Sequence, residues 1–514
     1  MDLALNSLGH AVELLTHPAV IFAIAVAVVW GACCGVLPGV GSGLGIGVVV
    51  PLTFSMDAVT AVAFLVTISV AVSFSNSLPA VLLGVPASPA AFLTAIDGYA
   101  LHKQGKSGLA LGSTLFGAVL GQLVSIPFFV LLVVPLSTLT YTFLSPELFA
   151  LYCLGLVAVV SLTGKNVIKG LMAAALGVAI SLVGPDPVNA VARFSFDVPE
   201  LRGGFQTIPA VLGLVTISEI IRSMRQNYNW EDILPTSKSM ARFPGFRKLK
   251  PIYRPVAMGA LIGTLIGAIP GMSGTASAVM SYQQAKLTSK TPEQFGKGSI
   301  EGVAANESAA NASQAGEMVP TLGLGIPGSD SMVLVLGALM LQGFVPGPML
   351  MQESPELLHA TVAGLLGGSL LLLAFGWPLA RLLLRVIHLD RRVIMPLVFV
   401  VTHVGIYSLR QSLFDVIVLL GFGIIGYFMI RYGYSTAAAA IGLLLGAGFE
   451  SNLRQGMLLA DSSFWQFVTR PWTASILLAA LALLAYGIYG TVKTTRRERA
   501  LLAAAHQPPS GHTP

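Results

Sequence analysis

The sequence predicts an all-α polytopic membrane protein, with about ten to twelve transmembrane helices in two inverted repeats whose helices are broken by re-entrant hairpins. Three observations carry this prediction. Hydrophobic residues fill 54% of the 514 positions and charged residues only 10%, against about 25% charged residues in a soluble domain. The mean hydropathy is +0.79. The chain also repeats itself: Gly31-Ala-Cys-Cys-Gly35-Val-Leu-Pro38-Gly39 returns as Gly263-Thr-Leu-Ile-Gly267-Ala-Ile-Pro270-Gly271, and Pro79-Ala-Val-Leu-Leu-Gly84-Val-Pro86-Ala-Ser88 returns as Pro320-Thr-Leu-Gly-Leu-Gly325-Ile-Pro327-Gly-Ser329. Gly and Pro thus interrupt membrane sequence at matching places in both halves, the pattern of a secondary transporter.

The spans come first. Uncharged apolar stretches occupy 109–135, 148–163, 170–183, 361–380, 393–404, 416–430 and 474–489. A bilayer core is crossed by roughly twenty apolar residues, so the shorter stretches need their flanks. Charge then divides the chain into a first membrane repeat (1–225), a basic connector (226–254), a second repeat with a final helix (255–492) and a tail (493–514). No basic region precedes the first apolar run, so no cleaved signal peptide is expected. The polar, Pro-containing end of the tail, 503–514, is expected to be disordered.

Orientation follows from Lys and Arg, which favour the cytoplasmic side. The interval 222–254 is the most basic in the chain, and Lys103 with Lys106, the run 381–392 and Lys493-Thr-Thr-Arg496-Arg497-Glu-Arg499 join it. Residues 1–20 hold no Lys or Arg. The N-terminus is therefore expected outside and the C-terminus inside. Comparing the repeats, Lys286, Lys290 and Lys297 follow the second Pro-Gly motif where the first half carries only Asp57; Lys103 and Lys106 follow the Pro79 motif where the Pro320 motif is followed by Glu353 and Glu356. The bias reverses between halves, which argues for inverted repeats and leaves parallel ones open.

Non-helical backbone in hydrocarbon is tolerated only where protein covers it or a water-filled cavity meets it. After Pro38 the chain reads Gly39-Val-Gly41-Ser42-Gly43; after Pro270 it reads Gly271-Met-Ser273-Gly274-Thr275. Each is expected to be a hairpin tip whose second arm starts a new helix, presenting free N–H groups to an anion. Gly31, Gly35, Gly263 and Gly267 read as helix-packing glycines. The richest polar stretch, 301–320, puts Glu307, Asn311 and Gln314 on one helical face, with Asn306 and Ser313 nearby. Its amides and hydroxyls could bind carboxylate oxygens or a desolvated cation; a helix at the membrane edge, with Glu301 and Glu307 in water, is the alternative. Ser329 and Asp330 read equally as an N-cap and as ion or substrate contacts. Ser73, Ser75, Asn76, Ser77 and Ser88 are the first-half counterparts.

Several function classes are excluded or disfavoured. The net charge of +6 lies in topology clusters, so no nucleic acid is expected as a partner. The three cysteines, Cys33, Cys34 and Cys153, have no metal or disulfide spacing, and the eight histidines form no metal-type pair. No phosphate-binding Walker loop occurs, and acid and base groups are scarce in the apolar sequence.

The chain resembles the large permease subunit of the tripartite tricarboxylate transporters. The likeness is strongest over 307–349, in Glu-Ser-Ala-Ala-Asn-Ala, Leu-Gly-Ile-Pro-Gly-Ser and Gly347-Pro-Met-Leu. It extends to the first Pro-Gly motif, to Ala95-Ile-Asp97-Gly98-Tyr99 with Gly105-Lys106, to Arg193-Phe-Ser-Phe and to Arg470-Pro471. The first half departs from it, with Phe74-Ser-Asn-Ser77 in place of a Gly-Gly-Ser run and Gly84-Val-Pro-Ala-Ser88 in place of Asn-Ile-Pro-Gly-Thr. The resemblance implies an inner-membrane subunit that carries the translocation path, a small membrane subunit beside it, a periplasmic solute-binding protein, an organic carboxylate as substrate, Na⁺ or H⁺ as coupling ion and no other cofactor.

The expected substrate contacts are Gly39, Gly41, Ser42, Gly43, Asn76, Ser88, Gly271, Ser273, Gly274, Thr275, Asn306, Asn311, Ser313, Gln314 and Ser329, with Asp330 for the coupling ion. No catalytic residue is expected. An ion channel or passive pore, and a membrane-embedded enzyme, are the alternatives.

Overall fold

The computed structural model describes residues 2–37, 41–140, 142–163, 167–186, 189, 191–225, 244–272, 274–344, 350–386 and 391–505. Pro38, Gly39, Ser273, residues 226–243 of the connector, 345–349 and 506–514 lie outside the described residues. Among those described the elements are helices, joined by turns and loops, apart from one two-residue antiparallel ladder, Gly184–Pro185 with Ala192–Arg193. Eight helices are long and apolar enough to cross a membrane, and four shorter apolar ones accompany them. Every apolar stretch read from the sequence falls within a helix except 170–183, whose last two residues pass the end of Val167–Ser181.

The helices start where local chemistry starts them. Asp57 accepts from the backbone N–H of Thr60 at 2.9 Å and caps the helix Ala58–Ser75. Ser299 accepts from Gly302 at 3.0 Å and caps Ile300–Leu324. Such a cap is worth about 1 kcal/mol. These two helices hold equivalent places in the two halves.

The first interruption of each half is a hairpin. Pro18–Val36 leads to the short helix Gly41–Gly47, and Tyr253–Gly267 leads to Gly274–Thr288. The predicted helix-packing glycines sit where the first arm crosses the capped helix. An added Cβ at Gly31 would stand 2.7 Å from the Ile68 carbonyl oxygen, and one at Gly35 2.5 Å from that of Val72. In the second half, a Cβ added at Gly263 or Gly267 would stand 2.5 or 2.6 Å from the Ala309 or Ser313 carbonyl oxygen. Only glycine allows backbones to approach this closely.

The second interruption corrects the placement expected from the Pro79 and Pro320 motifs. Both prolines lie inside helices, Ser77–Leu83 and Ile300–Leu324. The chain leaves the helix later, at Gly84 (φ +69°) and Gly325 (φ +70°). Left-handed backbone is the usual way to end a helix and is cheapest at glycine. Pro86 and Pro327, which cannot continue a helix, follow; the chain re-enters helix at Phe92–Lys103 and Asp330–Leu341.

The halves exchange partners. Ala58–Ser75 packs against Glu356–Val386 of the second half, and Ile300–Leu324 packs against Ser107–Thr140 of the first. Likewise Val167–Ser181 pairs with Thr436–Leu459, and Leu413–Arg431 with the 207–225 helix. Each half therefore completes the other's bundle. At its end the chain departs from the expected boundaries: the last helix, Pro471–Ala505, passes 492 and includes 503–505, in a segment of good helix formers.

Candidate functional site

The interruptions converge on one cavity of about 430 Å³. It is lined by residues of both halves: Ser42 from the first hairpin, Ser69, Ser73 and Asn76 from the first capped helix, and Ser77 and Ser88–Ala91 around the first exit. The second half supplies Gly274 and Thr275 at the start of a helix, Gln314 and Glu317 from the polar helix, and Gly328–Ser331 after the second exit. Hydroxyls bridge the halves, since Ser42 Oγ donates to Ser331 Oγ at 3.3 Å and Ser331 lies 3.2 Å from Ser329 Oγ. Gly271 N–H donates to the Gly328 carbonyl at 3.2 Å and ties the second hairpin to the second exit. Gly328 itself is needed there: a Cβ would stand 2.6 Å from the Glu317 carbonyl oxygen.

The electrostatics are mixed. Gly274–Thr288 and Asp330–Leu341 both begin at the cavity, and helix N-termini carry unpaired N–H groups and partial positive charge. The arm after the first hairpin is only seven residues long, Gly41–Gly47, so its dipole is weaker than expected of a full second arm. Ser329 occupies the N-cap position with no side-chain cap hydrogen bond, which leaves its hydroxyl to Ser331 and the cavity. Glu317 is 2% exposed, whereas Asp330 is exposed.

Of the residues expected to contact substrate, Ser42, Asn76, Ser88, Gly274, Thr275, Gln314 and Ser329 line the cavity, as does Asp330. Others shape its walls. Asn306 Nδ2 donates to the Ala90 carbonyl and to Thr94 Oγ1, both at 2.9 Å, fixing the polar helix against the first exit. Asn311 donates to the Glu307 carbonyl at 2.9 Å and Ser313 to that of Ala310 at 2.9 Å, within their own helix. A Cβ added at Gly43 would meet Val215 at 3.8 Å, and Gly41 (φ +52°) turns the chain. Glu307 is not in water: it is 1% exposed, accepting from Ser77 Oγ at 2.6 Å and from Thr94 Oγ1. Gly39 and Ser273 lie outside the described residues.

Sequence reading did not single out Ser69 or Glu317. Glu317 was legible in principle, lying one helical turn past Gln314 on the same face. Three motif positions turn out to be anchors. Asp97 Oδ1 accepts from the N–H groups of Gly296 and Gly298 at 2.8 Å and Ser299 at 3.0 Å, and Oδ2 from Tyr282 at 2.7 Å. Arg193 is bidentate to Glu450 at 2.7 and 2.9 Å. Arg470 Nε donates to buried Glu147 at 2.6 Å. Among the described residues no group of three His, Cys, Asp or Glu could hold a metal ion.

The model of the tripartite tricarboxylate transporter TctA family matches residues 21–441. The chain belongs to the TctA family. It is 33% identical over 497 residues to an uncharacterized 52.8 kDa protein from the TAR-I ttuC' 3' region of Agrobacterium vitis, covering 96% of this chain and 98% of that one. A second protein, from the TAR-II ttuC' 3' region of the same organism, is 35% identical over 234 residues, which is 46% of this chain and 97% of that one. No solved structure matches the chain. As a TctA-family protein it is a multi-pass membrane subunit of a tripartite transport system, not an enzyme, and works with other subunits, a binding protein and a substrate.

Proposed function

We propose that this TctA-family subunit carries organic carboxylates across the bacterial inner membrane through the cavity between its halves, drawing on a Na⁺ or H⁺ gradient and served by a small membrane subunit and a periplasmic binding protein. The carrying observation is that both halves deliver the ends of interrupted helices, with their hydroxyls and amides, to one cavity of about 430 Å³. Hydroxyl, amide and helix N-terminal N–H groups recognise carboxylate oxygens without burying a full opposite charge. In this reading Ser42, Asn76, Ser88, Gly274, Thr275, Gln314 and Ser329 contact the carboxylate, and Asp330 stands near the coupling ion. Gly41, Gly43, Gly271, Asn306, Asn311 and Ser313 hold the walls.

The packing also supports inverted repeats with the N-terminus periplasmic. The Thr53 backbone carbonyl, just beyond the first hairpin, accepts from Gln342 Nε2 at 3.0 Å. Beyond the second hairpin, the Lys297 backbone carbonyl accepts from Gln104 Nε2 at 2.9 Å. The second contact joins the Lys103/Lys106 and Lys286/Lys290/Lys297 clusters on one side, the cytoplasmic side by their charge.

The test is uptake of a panel of radiolabelled carboxylates into proteoliposomes holding this subunit, its small partner and the binding protein, under imposed Na⁺ or H⁺ gradients. Saturable, gradient-dependent accumulation of one acid is expected. Flux without saturation or coupling would indicate a passive pore and overturn the reading.

A further inference from the structure

Four buried oxygens around the cavity have no hydrogen-bond partner: Ser69 Oγ, Asn76 Oδ1, Gln314 Oε1 and Glu317 Oε2. Two come from the first half's capped helix and its end, and two from the second half's polar helix. Each presents less than 1 Å² to a water-sized probe, so bulk water does not reach them. An unpartnered buried polar atom costs about 1–3 kcal/mol, and four beside one cavity call for a ligand that supplies positive charge to all of them. We propose that these four oxygens form the binding site of a dehydrated monovalent cation of Na⁺ size, with Glu317 as its charged ligand.

The chemistry of the set selects the ion. One buried carboxylate with hydroxyl and amide oxygens is a hard, oxygen-only set carrying a single negative charge. Ca²⁺ favours six to eight oxygens, usually with several carboxylates, and thiolate or imidazole ligands for transition metals are missing from the set. A proton on Glu317 could be donated to one acceptor at most, leaving the others unpartnered. An unhydrated Na⁺, smaller than a water molecule, takes several oxygen ligands at once, as a proton cannot.

The site also reconciles the cavity with its substrate class, and this step alone rests on the carboxylate reading. Glu317 and Asp330 would repel an anion; a cation held on Glu317 removes that repulsion. Cation and carboxylate then raise each other's affinity by the same factor.

The experiment uses the purified full chain in nanodiscs without any carboxylate. Thermal midpoint and ²²Na⁺ binding are measured in NaCl, KCl and choline chloride at constant ionic strength, from pH 5.5 to 8. Saturable stabilisation by Na⁺ over choline is expected, with Glu317→Gln raising the half-saturating Na⁺ concentration about tenfold or more. If Glu317→Gln fails to fold, Asn76→Leu and Gln314→Leu, which keep the charge and remove one oxygen, are expected to raise it severalfold. Equal midpoints in all three salts, a response to pH alone, or unchanged Na⁺ response in these variants would overturn the site. Carboxylate binding that persists without any Na⁺ effect would sink the cation site and spare the substrate reading. Na⁺ binding with no carboxylate bound by the assembled system would do the reverse.

Discussion

Gly84→Ala isolates what the first helix exit requires. Gly84 holds φ +69°, and its added Cβ would lie 2.8 Å from Cδ1 of the Tyr99 ring. Left-handed backbone costs a residue with a Cβ about 1–2 kcal/mol, and overpacking a filled site adds about 1–3 kcal/mol. The loss of unfolded-state freedom offsets about 0.4–1 kcal/mol of this. The net expectation is a loss of roughly 1–4.5 kcal/mol. The assay is denaturant unfolding in mixed micelles followed by tryptophan fluorescence. Two further variants separate the contributions. Gly105→Ala, at φ +74° with nothing within 4 Å of the new Cβ, should lose only the backbone part less the same offset, about 0–1.5 kcal/mol. In a Tyr99→Ala background, Gly84→Ala should recover the overlap part, a coupling of about 1–3 kcal/mol. Wild-type stability in Gly84→Ala, or a cost unchanged by removing Tyr99, would refute the reasoning.

Three other outcomes are expected. Gly263→Ala sets a Cβ 2.5 Å from the Ala309 carbonyl oxygen and should lower stability by about 1–3 kcal/mol, while Gly337→Ala, with open space, should be neutral or stabilising in the same thermal assay. Arg470→Leu strands the buried Glu147 carboxylate and should cost about 3–5 kcal/mol; adding Glu147→Gln should restore part of that midpoint. Asp97→Asn weakens acceptance from three backbone N–H groups and Tyr282, so limited proteolysis should cut the 289–299 loop faster than in wild type, and an unchanged cleavage rate would contradict the clamp.

Much of this molecule was legible because the membrane imposes simple rules. The apolar runs, the paired Gly-Pro motifs and the packing role of Gly31, Gly35, Gly263 and Gly267 all follow from length, charge and side-chain size. Polar residues were harder to sort. Asn306, Asn311 and Ser313 carry the same chemistry as Gln314, yet their partners are Ala90, Thr94 and their own helix. Whether an amide faces a cavity or a neighbouring carbonyl depends on the crossing of helices far apart in sequence, which composition does not encode. Glu317 lies in the polar stretch one turn past Gln314, but only the packing of Gly328 onto its backbone places it at the cavity wall. Asp97, Arg193 and Arg470 stood out in motifs, but their partners are 200 or more residues away for Asp97 and Ser299, Arg193 and Glu450, and Arg470 and Glu147.

The central claim, that substrate sits between the two halves, is tested most directly by substrate protection. Ser331→Cys is introduced after replacing Cys33, Cys34 and Cys153, and its maleimide labelling rate is measured in proteoliposomes with and without the transported carboxylate. Ser331 lines the cavity and bridges to Ser42 of the other half. Slower labelling that saturates at the carboxylate concentration giving half-maximal uptake, with no effect of a non-transported acid, is the predicted result. A labelling rate indifferent to the transported carboxylate would place the substrate elsewhere and contradict the claim.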